Sequence, residues 1–110
     1  MGDWAEGVAQ EALTAQGLRL VARNVRCKLG EIDLVMWDGP VLVFIEVRYR
    51  RKSGYGAAVE SVNAAKQLRI RRAAAWWLMR YVRSALPPCR FDVYALEGTR
   101  ELWVKAAFTA

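Results

Sequence analysis

The chain has no histidine and only two cysteines, Cys27 and Cys89, among its 110 residues. Zinc wants about four nitrogen or sulfur ligands, so no zinc centre can be built from those groups, and neither a Ser-His nor a Cys-His dyad is available. Two isolated cysteines fit reduced thiols in a cytoplasmic protein better than a disulfide framework. Long apolar runs are missing too. The longest with helical character, Ala73 to Met79, ends at Arg80 and is too short to span a bilayer. No basic, apolar and small-residue leader is read at the start, so the expectation is a cytoplasmic protein with no membrane partner. Acidic residues are the minority, 11 against 17 Lys and Arg, for a net charge of +6. Such an excess points to an anionic partner, nucleic acid before a membrane surface, or else serves solubility alone. Any catalysis has to rest on carboxylates, Lys and Arg, hydroxyls and a bound ion.

What is present reads as one globular domain over residues 1–110, with 55% hydrophobic and 25% charged residues. Asp3-Trp4-Ala5-Glu6 has the form of a capping box and Gly17 is a natural stop. Between them Ala5, Val8, Ala9, Ala12 and Leu13 recur at helical spacing, predicting an amphipathic helix over residues 4–16. Strands are expected over 18–25, 31–37 and 41–49, the last two joined by a turn at Asp38-Gly39-Pro40. Residues 50–57 are basic and glycine-bearing, hence a loop. From Val59 to Ser84 neither Gly nor Pro intervenes, predicting one long helix that Pro87-Pro88 closes off. Two strands, 91–96 and 102–108, end the chain around a turn at residues 97–100. The expected fold is α/β, a mixed sheet flanked by helices in the order α-β-β-β-α-β-β.

The segment from Val41 to Arg48 poses the chemical question. It has the apolar character of a buried strand, yet carries Glu46 and, two residues on, Arg48. A charge taken out of water is paired, neutralised or bound to a metal, because leaving it bare costs several kcal/mol. Residues two apart in a strand share a face, so Glu46 and Arg48 point the same way. In a hairpin with the preceding strand, a two-residue loop at Asp38-Gly39 sets Glu31 opposite Glu46. A four-residue loop from Asp38 to Val41 sets Asp33 opposite Glu46, and the missing N–H of Pro40 favours that longer loop. Either even register gathers Glu31, Asp33, Glu46 and Arg48 on one face. Two adjoining carboxylates repel unless a cation lies between them, and a hard divalent ion such as magnesium or manganese would serve. The other reading of the same spacing is a salt bridge from Arg48 to Glu46 or Asp33 at a sheet edge.

Gly30-Glu31-Ile32-Asp33-Leu34-Val35, followed by Val41 to Arg50, resembles the GEIDLI…LVFVEVKxR signature of the YraN-like family, small bacterial proteins with a restriction-endonuclease-like fold. The likeness continues through Arg23-Asn24-Val25-Arg26, the run from Val62 to Ile70, Arg90-Phe91-Asp92-Val93 and Ala106-Ala107-Phe108, covering nearly the whole chain. The separation of Asp33 and Glu46 also resembles the metal-binding spacing of archaeal Holliday-junction resolvases. The resemblance implies the PD-(D/E)xK nuclease core, with Asp33 and Glu46 holding Mg2+ or Mn2+, weakly until substrate phosphate completes the shell. The cation two residues on would stabilise charge on the phosphate. Here it is Arg48 where the pattern has lysine, and an arginine supplies electrostatics without proton transfer. The family's first-helix glutamate follows a glycine, whereas this chain has Ala5-Glu6.

Helix geometry also selects Glu6. At roughly 100° per residue it lies beside Leu13 at the rim of the apolar stripe, with Glu11 on the opposite side; its alternative role is helix capping. On the long helix Arg69, Arg72, Trp76, Arg80 and Arg83 fall within roughly 80° of arc, suiting phosphate contacts and a stacking platform. Ile70, Ala74, Trp77, Leu78 and Tyr81 form the expected buried stripe beside it. A solvated charged face is the other reading of that row. Lys66 and Gln67 begin the helix near the expected site, as phosphate contact and water-orienting group or simply as helix formers. Arg50, Arg51 and Lys52, leaving the strand after Arg48, are placed to follow a nucleic-acid backbone. The leading reading is a metal-dependent endonuclease-like protein acting on branched or structured DNA. The alternatives are a nucleic-acid-binding module without chemistry and an assembly protein whose basic face meets an acidic partner. A homodimer would suit a two-fold junction.

Overall fold

The computed structural model describes residues 2–51 and 57–110, and only the backbone of Gly2 and Asp3. The chain forms α1 (Gly2–Ala15), β1 (Arg19–Cys27), β2 (Gly30–Asp38), β3 (Val41–Arg50), α2 (Ala57–Glu60), α3 (Ala64–Tyr81), β4 (Cys89–Glu97) and β5 (Arg100–Phe108). The five strands make one mixed sheet in the order β1-β2-β3-β4-β5, with β3 and β4 parallel and the other neighbours antiparallel. This is the α/β architecture expected from the sequence and compatible with a restriction-endonuclease-like fold. No helix among the described residues is long and apolar enough to cross a membrane. Cys27 and Cys89 are both free thiols.

The sheet has a core on each face. Ala5, Ala9 and Leu13 of α1 pack on Leu34, Met36, Val43 and Ile45, so the stripe read from their spacing is the one buried. On the other face Ile70, Ala73, Ala74 and Trp77 of α3 cover Val35, Leu42, Phe44 and Phe91. Strand β3 is central and covered on both sides, which is why Val41 to Ile45 is an unbroken apolar run rather than an alternating one.

The β2–β3 ladder pairs Leu34 with Ile45 and continues to Asp38 with Val41. Its register is that of the longer-loop alternative, but the last pair forms, so the turn is Gly39-Pro40 and Pro40 stays outside the ladder. Gly39 takes a positive φ of 59° there, open to glycine without steric penalty.

The long helix departs from expectation. Rather than running unbroken from Val59 to Ser84, it is interrupted at Ser61-Val62-Asn63 and ends at Tyr81. Asn63 is an N-cap whose Oδ1 accepts from the Lys66 amide at 3.0 Å, and Ser61 Oγ donates to the Ala58 carbonyl at 2.6 Å. Side-chain oxygens that compete for backbone partners end a helix as surely as proline does. Tyr81, expected in the buried stripe, is 58% exposed. The first helix begins at Gly2, so Asp3 lies inside it; the Asp3 side chain, on which the capping box rests, lies outside what is described. Loop residues Lys52 to Gly56 likewise lie outside the described residues, and Arg50 belongs to β3 rather than to that loop.

Asp92, in the matched Arg90-Phe91-Asp92-Val93 stretch, has an architectural part. It is fully buried and accepts from Arg90 Nε, Trp103 Nε1 and the Ala106 amide, each at 2.9 Å, while Arg90 also reaches Asp38 at 2.9 Å. A buried carboxylate so fully bonded ties β4 to β5 and to the end of β2.

Gly30 fixes how closely α3 sits on β2, since a Cβ there would lie 2.1 Å from the Arg69 carbonyl oxygen. Gly30→Ala is expected to push α3 off the sheet and to lower unfolding free energy by about 1–3 kcal/mol, the range of overpacked cores. Urea denaturation of the two proteins measures it, and equal midpoints would refute the close approach.

Candidate functional site

Toward the Gly30 end of β2 the sheet forks. The β2–β3 ladder stops at Leu34–Ile45, while β2 continues along β1 to Gly30 and β3 continues along β4 to Arg50. In the opening, the Val47 amide donates not to a strand carbonyl but to Asp33 Oδ2 at 2.8 Å. A cavity of about 240 Å³ occupies the fork, lined by Asp33, Glu46, Arg48 and Arg50 from the strands, Glu6 from α1 and Lys66 from α3. Both helices thus reach the gap between the two prongs.

Glu46 is the anomaly of the site. It is 2% exposed, and its Oε1 is buried with no hydrogen-bond partner among the described residues. Its Oε2 faces two cations, Arg48 Nη1 at 3.4 Å and Lys66 Nζ at 3.5 Å. Burial, and then the negative charge of Asp33, push the Glu46 carboxyl from 4.5 up to about 8 despite those cations. A hydrogen bond to Asp33, open only to the protonated form, acts in the same direction.

The cations are themselves held. Arg48 Nε donates to Ser61 Oγ at 2.9 Å, and Ser61 sits in the break between α2 and α3. The Ala58 amide at the start of α2 donates to Glu97 Oε2 at 2.8 Å, anchoring this short helix to the end of β4. Lys66 also meets Glu31 Oε1 at 3.3 Å, and Glu31 Oε2 meets Arg26 at 3.2 Å. Glu31 therefore lies one ion pair away from the cavity rather than in its lining. Glu6 is buried, with Arg23 at 4.0 Å; the Asn24 amide, turned with its nitrogen inward, donates to Glu6 Oε1 at 2.7 Å. Glu11 is exposed, as its place on the wheel predicts.

Of the residues expected to carry chemistry, the fold brings Asp33, Glu46, Arg48 and Glu6 around one cavity. Gln67 turns away from it: its Nε2 donates to the Val62 carbonyl at 3.0 Å and its Oε1 accepts from Arg71. Arg69, Arg72 and Arg80 are exposed on α3, with the Arg80 guanidinium 5.7 Å from the Trp76 ring centre. Arg83 lies beyond the end of the helix and Arg51 is an exposed bend; Lys52 is outside the described residues. Ser61, Asn24 and Arg23 escape a reading of spacing, because only the crossover and the pairing of β1 with β2 bring them here. Asn24 sits in the left-handed region at φ 52°, and its place in the matched Arg23-Asn24-Val25-Arg26 stretch is its one sequence signal.

Among the described residues no group of three or more Asp, Glu, Cys or His is arranged to hold a metal. What the fork offers instead is a carboxylate pair with one buried oxygen lacking a partner. That donor set fits a hard divalent ion taking most of its ligands from water and a bound anion. A further positive charge, beyond Arg48 and Lys66, against Glu46 would relieve the repulsion from Asp33 without protonation.

The raised Glu46 carboxyl fixes a pH dependence. The folded state holds the proton more tightly than the unfolded state, so stability is greatest below 4.5 for this group, declines as pH rises, and levels off past about 8. Glu46→Gln removes the titration. In urea unfolding without divalent ions, the wild type is expected to lose stability relative to the variant from about pH 5 to about pH 8. Parallel curves would mean that Glu46 is ionised throughout.

Likeness to known proteins extends over nearly the whole chain. Residues 5–96 match the model described as "Uncharacterised protein family UPF0102". A "UPF0102 protein" of Alkalilimnicola ehrlichii is 51% identical over 109 residues, covering 99% of this chain and 86% of the relative. One from Shewanella amazonensis is 50% identical and covers 97% of each chain. One from Bordetella parapertussis is also 50% identical, though this chain spans only 63% of it. By model and by relatives alike, this chain belongs to the UPF0102, or YraN-like, family.

Proposed function

We propose that this protein is a metal-dependent nuclease-like enzyme that hydrolyses phosphodiesters of branched or otherwise structured DNA. The observation that carries this reading is the Glu46 Oε1 atom, buried without a hydrogen-bond partner beside Asp33 at the mouth of the forked sheet. Asp33 and Glu46 would hold Mg2+ or Mn2+. Such an ion, when bound, supplies Lewis acidity at the phosphate and an activated water.

The chain's own residues would do the rest. Arg48, fixed by Ser61, presents its guanidinium toward the cavity and can neutralise a phosphoryl oxygen, supplying charge rather than proton transfer. Lys66 adds a second cation from α3, and Glu31 steadies it. Glu6 faces the same cavity from α1 and supplies a further carboxylate to orient water. Outside, Arg69, Arg72 and Arg80 would track the backbone, with Arg50 and Arg51 at the exit of β3.

A second reading, a binding module without hydrolysis, draws on Arg48. Its guanidinium is already shared between Ser61 and Glu46, where the family pattern has a lysine. The deciding assay offers fork, flap and junction DNA with Mg2+ or Mn2+. The enzyme reading expects cleavage by wild type and none by Asp33→Ala, with metal-free binding kept or tightened because a repelling carboxylate is gone. Binding without cleavage on every substrate hands the case to the module.

The basic helix has its own test. Arg69→Ala with Arg72→Ala is expected to weaken affinity alike for all duplex sequences. The slope of log affinity against log salt should flatten by roughly 0.9 for each phosphate that is no longer neutralised. An unchanged slope would make the row a solvated face.

A further inference from the structure

A second concavity lies on the α3 side of the sheet, away from the carboxylates. It is a groove of about 710 Å³ between β1 and α3, within the range of sites that take small ligands. Trp37 of β2 and Trp76, Trp77 and Tyr81 of α3 line it, together with Arg23 and Arg26 of β1. Four large rings in one groove exceed what the core requires, since Tyr81 is exposed and Trp37 and Trp76 are only half-buried. Tyr81 lies 5.3 Å from the Trp77 ring centre, and the Arg80 guanidinium stands 5.7 Å from Trp76 and 5.9 Å from Tyr81.

The lining selects a kind of ligand. Flat aromatic faces favour another flat ring, and guanidiniums at the groove and its rim favour an anion; no carboxylate is among the lining residues, and Glu6 and Glu31 meet Arg23 and Arg26 from outside it. An unpaired nucleobase with its phosphates combines both features. Bases inside a duplex do not, because their faces are already stacked on each other. We infer that this groove binds unpaired nucleobases of a single-stranded nucleic-acid segment, stacking them against Trp76 and Tyr81 while Arg23, Arg26 and Arg80 neutralise the backbone.

The inference rests on the nucleic-acid reading above and makes it more specific. The groove is tied to the fork by two sets of ion pairs. Arg23 of the groove meets Glu6 of the cavity at 4.0 Å, and Arg26 meets Glu31, which meets Lys66 of the cavity. A strand that continued from the groove past Arg23 and Arg26 would come to these pairs, so a substrate with an unpaired arm next to a duplex would suit both places. A continuous strand is the occupant rather than a free nucleotide, because the guanidiniums come from two separate elements, Arg23 and Arg26 of β1 and Arg80 of α3, more than one phosphate group would need.

The test measures affinity by anisotropy for three labelled DNAs: a single-stranded oligothymidylate, a fork with unpaired arms and a blunt duplex. Wild type is compared with Trp76→Ala, Trp76→Phe and Tyr81→Ala at constant salt. Trp76→Ala and Tyr81→Ala are each expected to weaken binding of the single strand and the fork by roughly 5- to 150-fold, the change for loss of a stacked base. Duplex affinity falls far less, and Trp76→Phe restores most of the preference for unpaired arms. Quenching of tryptophan fluorescence by the oligothymidylate, much stronger than by thymidine monophosphate, supports a strand as occupant. Equal weakening on all three DNAs overturns the inference while leaving the nucleic-acid reading intact. So does quenching by the mononucleotide as strong as by the strand. No binding to any of the three overturns both.

Discussion

The amide of Val47 has no strand carbonyl to bond, and the site depends on how that is resolved. An N–H turned into the protein without an acceptor costs free energy, and although Val47 is only half-buried, the parting of β2 from β3 leaves its amide in want of a substitute acceptor. Asp33 Oδ2 is that substitute, at 2.8 Å. One carboxylate oxygen therefore repairs the sheet at the point where the sheet opens. The same residue places a negative charge beside Glu46, and α1 and α3 bring Glu6 and Lys66 to the gap that results.

The charges around that gap do not cancel where they lie. Two cations contact Glu46 Oε2, yet burial and the charge of Asp33 outweigh them and the carboxyl holds its proton up to about 8. Asp92 makes a useful contrast within the same protein. Equally buried, it is surrounded by an arginine, an indole N–H and a backbone amide, with both oxygens engaged. One buried acid is a finished structural joint and the other is left short of partners. Both fall within segments matched to the family signature, so resemblance alone does not separate a joint from a site.

Much of this was legible in the chain, for identifiable reasons. Strand β3 announces itself because a strand covered on both faces must be apolar on both, and Glu46 stands out against that background. The hairpin register followed from parity and from Pro40, which has no N–H to give a ladder. Glu6 could be placed from the wheel of α1. The break at Ser61–Asn63 was masked by good helix formers on either side, although Asn63 and Ser61 are residues that compete for backbone bonds. What spacing could not convey were interactions made across the crossover: Ser61 on Arg48, Glu97 on the Ala58 amide, and Lys66 bridging Glu31 to Glu46. The turning of Gln67 toward Val62 belongs with these, since helix position fixes a direction but not the nearest partner.

The bare backbone of Gly30 against Arg69 makes α3 behave as a lever. A helix of 18 residues is a rod of roughly 27 Å, held backbone to backbone against β2 near its first turns and spaced by side chains farther along. Lys66 stands on the short arm, and Trp76, Arg80 and Tyr81 stand on the long one. A small tilt at the fulcrum would displace the aromatic end by more than the lysine end. A residue with no functional group thus sets the alignment between a charged cleft and an aromatic groove. Defects introduced at position 30 would be felt as misalignment of both, although neither contains it.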